Sequence, residues 1–448
     1  MALDLLKLRE FFLKVDDGAA KILIAGGGSA SGAGREHALA RICVAAGLQV
    51  YGAPGNAGFP PKRRVPAADI ITFAKTNRVD AIIVGPETML AGGLVDAAEA
   101  AGLVAVGPSL AAARLESSKA FTIGLCQQFG IRTPLSVVVY DAATARRHAE
   151  KFGLRVVKKD GLAQGKGVRV CDTLEETWQA IDEAFVEGAS LLALQERLYG
   201  PDISVFRLCD GIPEYAQAVG VAYDRKYRFP LGHHGENPMT GGIGGCAFPD
   251  DSSESLAVQE EVYRDFVLPI LHALKAMTGA VFRGILYVGL MRGADGKLRL
   301  IEINVRWGDP ECQLVATRYE PKSLLKNMVA TACHGGLQIA PPLSIIPGRE
   351  AAVGVTLVRR EYPGPLTKPP SAIRGIQETR SAGLEFYLGG VDWQDGALRA
   401  LGGRVGTVVS FASDIPTARK KLYRGPLPDF DDRDYLPDVA SGIGFGTE

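Results

Sequence analysis

The chain opens on apolar residues at helical spacing. MALDLLKLREFFLKVDDGAA predicts an amphipathic helix over residues 1–20. The period then changes. Lys21-Ile22-Leu23-Ile24-Ala25 has the pattern of a buried strand, is cut at once by Gly26-Gly27-Gly28, and is followed by a helix predicted from Arg35 to Ala46. Val50-Tyr51, Ala81-Ile82-Ile83-Val84 before Gly85-Pro86-Glu87, and Leu103 to Gly107 are further short apolar runs. Such strands alternating with helices predict a doubly wound parallel sheet, a Rossmann-like domain, from about 20 to 110. Ligands of such sheets sit at the carboxyl ends of the strands, where the loops 26–37, 52–58 (GAPGNAG) and 85–90 converge.

Residues 115–335 read as α+β. They hold a strand at Leu191 to Glu196 and two late strands, Ile285 to Leu290 and Leu298 to Ile303. A proline-rich stretch from Pro341-Pro342 to Pro347-Gly348 marks a boundary, and short strands and turns over 350–425 predict a small β-rich C-terminal module.

Composition narrows the function classes. Hydrophobic residues make up 47% and charged residues 22%, as in an ordinary globular protein, and Lys+Arg and Asp+Glu both total 50. A balanced charge with no basic stripe argues against a nucleic-acid partner. No apolar run reaches a membrane span, and the acids Asp4, Glu10, Asp16 and Asp17 argue against a targeting peptide, so a cytoplasmic location is expected. Seven cysteines without CxxC spacing fit reduced thiols rather than a disulfide framework or zinc site.

Two segments carry candidate chemistry. In LRVVKKDGLAQGKG (154–167), a β-rich run delivers Lys158 into a glycine-bearing turn, Gly161 to Gly167, with Lys166 at its tip. Backbone N–H groups of such a turn can lie along a polyphosphate while lysines neutralise it. It is not the Walker pattern, because Gly167 follows Lys166. In IEINVRWGDPE (301–311), Glu302 and Asn304 are two apart and share a strand face, an oxygen pair suited to Mg²⁺ carried on a nucleotide. Arg306 falls on the same face, with Asp309 and Glu311 in the turn that follows.

These segments, together with GREHALA (34–40), APGNAG (53–58), VGPE (84–87), LESSKAF (115–121), TGGIG (240–244) and RGILYVGLM (283–291), resemble the ATP-grasp ligases. Within them the set is similar to the phosphoribosylamine–glycine ligases, over about residues 21–410. The resemblance implies an ATP-dependent carboxylate–amine ligase. It implies an N-terminal extension (1–20), a Rossmann-like domain (21–122), an ATP-grasp lid subdomain (123–190) and body (191–340), and a β-rich C-terminal domain with tail (341–448). It implies that Lys119, Lys158 and the loop with Gly161, Gly165, Lys166 and Gly167 reach ATP phosphates. Gln195, Glu196 and Leu198 would form the adenine hinge, Asp202 would hold the ribose, and Glu302 and Asn304 would bind Mg²⁺, with Mn²⁺ an alternative. Arg306, Asp309 and Glu311 would arrange glycine and its acyl phosphate. The phosphoribosylamine phosphate would lie between Gly34, Arg35, Glu36, Asn56, Gly58 and Glu87 on one side and Asp224, Lys226, Thr240, Gly241 and Gly242 on the other.

Four places depart from the family's pattern: a longer first loop (GGGSASGAGREH), Met89 after the GPE, Met239 before TGG, and the hinge QERL with Asp202. The nucleotide side is nearly intact and the amine side altered. Two further readings therefore stay open: a ligase for another amino acid or phosphoribosyl-type amine, and an ATP-binding regulator without turnover. His37 is expected to pack rather than catalyse, His233-His234 to be an exposed pair, and Tyr287 and Trp307 to be core or pocket wall. Oligomeric state is not legible.

Overall fold

The computed structural model describes residues 4–28, 32–162, 167–230, 233–234 and 237–442. Helix α1 (Leu5–Asp16) starts where Asp4 accepts the Lys7 N–H at 2.9 Å, the side-chain cap an orphan first-turn donor needs. Its stripe Leu8, Phe11 and Val15 is buried beside the helix Pro321–Ala330, and Lys326 reaches Asp16 at 2.6 Å. Three large apolar side chains removed from water are worth about 5 kcal/mol. The predicted helix thus docks onto its own chain.

Strands β1 (Lys21–Gly26), β2 (Gln49–Pro54), β3 (Ala81–Val84) and β4 (Ala105–Val106) form a parallel sheet in the order β2-β1-β3-β4. Helix α2 (Arg35–Ala45) follows the first loop. The segment expected as a lid holds a four-stranded sheet of order β5-β8-β6-β7, from β5 (Ser136–Val139), β6 (Val156–Lys159), β7 (Val168–Val170) and β8 (Leu192–Gln195). It carries its own core, including Val139, Leu154, Val157, Ile181, Leu192 and Leu194.

The body is a nine-stranded sheet. Its strands are β9 (Asp202–Asp210), β10 (Gln217–Asp224), β11 (Gly244–Ala247), β12 (Arg283–Arg292), β13 (Leu298–Asn304), β14 (Ala351–Arg359), β15 (Glu385–Leu388), β18 (Arg404–Ala412) and β19 (Arg433–Asp434). A separate ribbon pairs β16 (Val391–Gln394) with β17 (Ala397–Ala400). Antiparallel pairing of β11 with β14, Gly244 opposite Val355 and Ala247 opposite Ala352, carries the sheet across the proline-rich stretch. That stretch separates chain segments, not sheets. The seven cysteines are free and buried, and among the described residues no helix is long and apolar enough to cross a membrane.

One contact keys the N-terminal sheet to the C-terminal strands. Gly34 has φ +119°, and a Cβ there would stand 2.6 Å from the Tyr387 carbonyl oxygen. Gly34→Ala therefore meets both backbone strain and a fixed main-chain atom, and a loss of at least ~2 kcal/mol is expected. A shift in the urea midpoint measures it; an unchanged midpoint would mean the junction is not closed in solution.

Candidate active site

The lid sheet, the body sheet and the carboxyl ends of β1–β3 enclose a cleft of about 1000 Å³. It runs from Gln195 to Leu198 and Asp202, past Lys158, Glu302 and Asn304, to Gly26–Gly28, Arg35, Glu36 and Glu87. A second pocket of about 140 Å³ adjoins it and shares Lys158, Glu302, Asn304 and Arg306, adding Lys119, Gly161 and Gly167. Gly165 and Lys166 lie outside the described residues.

On the lysine side, Lys158 leaves β6 half-buried and donates to the Ile301 carbonyl at 2.8 Å. Burial pulls its pKa down to about 8. Lys119, first residue of the helix Lys119–Gln128, donates to the Gly161 carbonyl at 2.7 Å. Asp160 accepts from the Ala120 N–H and from the Ser118 hydroxyl, so the start of the glycine loop is docked on that helix end.

On the oxygen side, Glu302 and Asn304 alternate along β13 and both line the cleft. Glu302 Oε1 accepts from Lys226 at 3.0 Å and from the Tyr287 hydroxyl at 3.4 Å. Burial works to raise its pKa, yet Lys226 and Lys158 hold it at about 2. Lys226 also faces Asp202 at 3.8 Å, and these two carboxylates keep it protonated against the pull of burial. Among the described residues no group of His, Cys, Asp and Glu forms a complete metal cage. Two hard oxygen donors without a cage fit a divalent ion whose remaining ligands are phosphate oxygens and water.

Arg306 is the centre of an ion-pair network. It meets Glu87 at 3.2 Å, Glu116 at 2.9 Å, the Asn304 side-chain oxygen at 3.1 Å and the Trp307 carbonyl at 3.1 Å. Burial pushes the Glu116 carboxyl up, whereas Arg306 and Arg35 outweigh burial and hold Glu87 at about 2. The arginine read from sequence as an anion holder is thus already committed to two carboxylates. Glu116 was not singled out, although it stands in LESSKAF three residues before Lys119.

Asp309 is likewise engaged. One of its oxygens accepts the Ala33 N–H at 2.6 Å and the other the Gln313 amide at 2.7 Å, so it fastens the first loop. Glu311 and Asp224 are buried cleft carboxyls, both raised in pKa first by burial, and for Asp224 next by the charge of Glu311. Thr240 and Gly241 line the cleft, while Gly242 packs behind them against Pro310.

Three further expected cleft residues lie elsewhere. Gly34 packs on Tyr387. Asn56 is buried, donating its amide to the carbonyls of Leu388 (2.8 Å) and Gly389 (2.7 Å) and accepting from the Gly58 N–H at 2.9 Å. Gly58 makes room for the His37 ring, whose Cδ2 would sit 2.3 Å from a Cβ. These residues build the junction with β15. His37 accepts the Leu388 N–H through Nδ1 at 2.8 Å and, buried, is held neutral down to about pH 3. Because the unfolded chain binds this proton first, its contribution is whole above about pH 6.5 and is lost as pH falls toward 3. Unfolding free energy should fall across that window, and His37→Gln should flatten the fall; an unaltered acid slope would place the sensitivity elsewhere.

Comparison with known proteins now decides the family. Residues 20–116 match the model described as phosphoribosylglycinamide synthetase, N domain, and 117–312 match its ATP-grasp (A) domain. The phosphoribosylamine–glycine ligase of Mesorhizobium japonicum is 36% identical over 404 residues, covering 87% of this chain and 91% of the relative. That of Phenylobacterium zucineum is 38% identical over 420 residues, covering 90% and 94%. The chain belongs to the phosphoribosylamine–glycine ligase family. The solved phosphoribosylamine–glycine ligase of Thermotoga maritima superposes with TM-score 0.74 at 28% identity, over 94% of this chain and all of that one. The biotin carboxylase domain of Hydrogenobacter thermophilus 2-oxoglutarate carboxylase, solved with MgADP and bicarbonate, shares the fold at TM-score 0.62 and 14% identity, over 93% and 91%.

Against the phosphoribosylamine–glycine ligase pattern, the departures fall on the cleft wall. Met89, Met239 and Asp202 line it, as do Gln195 to Leu198. The C-terminal strands add a wall that sequence reasoning missed: Tyr362 to Leu366 and Leu401 to Arg404. Tyr362 accepts the Gly241 N–H at 3.0 Å. Only the Gly402-Gly403 pair before Arg404 hinted at a close approach there.

Proposed function

We propose that this protein joins glycine to phosphoribosylamine at the expense of ATP, releasing glycinamide ribonucleotide, ADP and phosphate. The observation that carries the reading is the single cleft running from a hinge at Gln195–Leu198, past paired oxygens on β13, to the glycine loop of a Rossmann-like sheet. A nucleotide fits the first third: Gln195, Glu196 and Leu198 edge the base, Asp202 reaches the ribose, and Lys119, Lys158, Gly161 and Gly167 face the phosphates. Glu302 and Asn304 would hold Mg²⁺ or Mn²⁺, which when bound neutralises the phosphate oxygens in transfer.

The chemistry runs in two steps. A glycine carboxylate oxygen attacks the γ-phosphorus and ADP leaves, giving glycyl phosphate. The amine nitrogen of phosphoribosylamine then attacks the acyl carbon, phosphate leaves, and the nitrogen loses a proton. Activation is needed because a free carboxylate is a poor electrophile. Glu311 and Asp224, buried with raised pKa, stand where the released proton can go. Arg306, held rigid by Glu87 and Glu116, orients the acyl group, and Asp309 acts by fixing the first loop. Closure of the lid over this centre keeps water from the acyl phosphate.

ADP release is measured with ATP, Mg²⁺, glycine and freshly generated phosphoribosylamine, singly and together. Release that requires both, with glycinamide ribonucleotide found by mass, is expected. ATP binding without stimulation by the pair would overturn the substrate assignment, and screening other amines would follow from Met239 at the cleft wall.

A further inference from the structure

β10 ends at Asp224, and the chain just beyond it carries Lys226 into the cleft. Whatever holds this stretch sets where both side chains stand. Part of the hold is main-chain. The Lys226 carbonyl accepts the Thr240 N–H and the Thr240 hydroxyl, both at 2.7 Å, and the Arg228 N–H donates to the Pro238 carbonyl at 3.0 Å. The rest comes from one side chain. Arg228 is 2% exposed and does not line the cleft. Its Nε donates to the Tyr362 carbonyl at 2.8 Å, and its Nη2 to the Asp434 carboxylate at 2.6 Å and the Arg360 carbonyl at 3.4 Å. Tyr362 in turn lines the cleft and accepts the Gly241 N–H. A planar fork bonded at both Nε and Nη2 fixes direction as well as distance, which a lysine ammonium does not.

A buried guanidinium needs a countercharge. Among the described residues Asp434 is the one carboxylate within ion-pair distance of Arg228. Asp434 belongs to the C-terminal segment, which is packed into the fold. β19 pairs with β14, Asp434 opposite Val358. Further along, the Tyr423 hydroxyl donates to the Leu436 carbonyl at 2.6 Å and accepts the Val439 N–H at 3.2 Å, and Leu436 and Val439 are buried. Val439 fills the space over Gly244, where a Cβ would stand 2.8 Å from it. Arg225 reaches Asp438 at 3.4 Å. The C-terminal segment thus clasps two arginines that flank Lys226 in sequence.

We propose that Arg228 is a positioning residue for the amine substrate, with Asp434 on the C-terminal segment as the countercharge that makes it one. It acts through Asp224 and Lys226 and touches no substrate itself. The inference rests on the reading of this end of the cleft as the amine site of a ligase. It adds that affinity for the amine is set from the far end of the chain, while affinity for the nucleotide is not.

Steady-state turnover of the full chain tests this with Arg228→Lys, Asp434→Asn and Asp434→Glu, beside thermal melts. The KM for phosphoribosylamine should rise about tenfold in Arg228→Lys and in Asp434→Asn, with a smaller change in kcat and the KM for ATP within about twofold of wild type. Asp434→Glu, which keeps the charge, should recover most of the loss. The double variant of Arg228→Lys and Asp434→Asn should be no worse than Arg228→Lys alone, because both changes break one contact. Arg433→Ala removes a neighbouring β19 side chain that holds the Leu427 and Pro428 carbonyls instead, and should leave the KM for phosphoribosylamine unmoved. An unchanged KM for phosphoribosylamine in Arg228→Lys and Asp434→Asn overturns the proposal. So does a KM for ATP that rises in step, or an equal effect of Arg433→Ala, either of which would make the clasp a general stabiliser. A wild type that makes no glycinamide ribonucleotide overturns the ligase reading itself, and the proposal falls with it; turnover with an unmoved KM sinks the proposal alone.

Discussion

Glu302→Ala is expected to lower ADP formation by a factor of at least ~10³, equivalent to about 4 kcal/mol of transition-state stabilisation. Lys226 and Lys158 hold the carboxylate's pKa at about 2 against burial, so near neutrality it is a negative charge facing the phosphate end. Its removal takes away half of the paired oxygens on β13 and leaves Lys226 with Asp202 alone. That second carboxylate compensates the lysine, so the fold should survive. The measurement is steady-state ADP release beside a thermal melt, with Glu302→Gln as the shape-preserving companion. Melting within a few degrees of wild type with turnover gone is the expected pair of results. Turnover near wild type would sink the placement of the phosphoryl-transfer centre.

Arg306→Ala should be the most damaging single change to stability. The arginine pairs with both Glu87 and Glu116, each strongly shielded from solvent, and removing one partner of a buried pair typically costs about 3–5 kcal/mol. The sign with pH follows from Glu87. Its folded pKa is depressed to about 2, so the stabilisation is fully present above the ordinary carboxyl pKa and is lost as pH falls toward 2. In the variant the same carboxyls keep the charge of Arg35 but lose their paired cation, and take up protons more readily. The gap in unfolding free energy between wild type and variant should therefore be widest near neutrality and shrink below about pH 4.5. Urea titrations at pH 7 and pH 4 read this directly. A gap independent of pH would mean that lost packing, not unpaired charge, is responsible. Arg306→Met with Glu116→Gln should recover part of the loss, because it removes a stranded charge along with the arginine.

What could be read in advance was what is local. The strand that ends in Gly26, the period-2 pair Glu302 and Asn304, and the lysine carried by a valine strand each declare themselves within a few residues. What was not legible shares a different cause. Asn56 and Gly58 sit in a loop that looks like a ligand turn, yet their partners are the backbone of Leu388 and Gly389 and the ring of His37, which no spacing rule brings near. Arg306 looked like an open anion site because Glu87 and Glu116 come from other parts of the chain. Arg404 and Tyr362 enter the cleft through pairing of β11 with β14, a register that hydrophobic pattern does not specify across so long a separation.

The keying of the first loop to the last strands has a consequence for synthesis. Ala33 gives its carbonyl to Thr407, Asn56 holds Leu388 and Gly389, and His37 holds Leu388. A ribosome releases the Rossmann-like unit, the lid and much of the body well before these closing residues leave the exit tunnel. At a few to twenty residues per second, the interval lasts on the order of several seconds or more. During it a nascent chain owns its lysines and its β13 oxygens but not the wall that shields the amine end. Because that wall arrives last, an unfinished or truncated chain cannot complete the compartment in which an acyl phosphate survives.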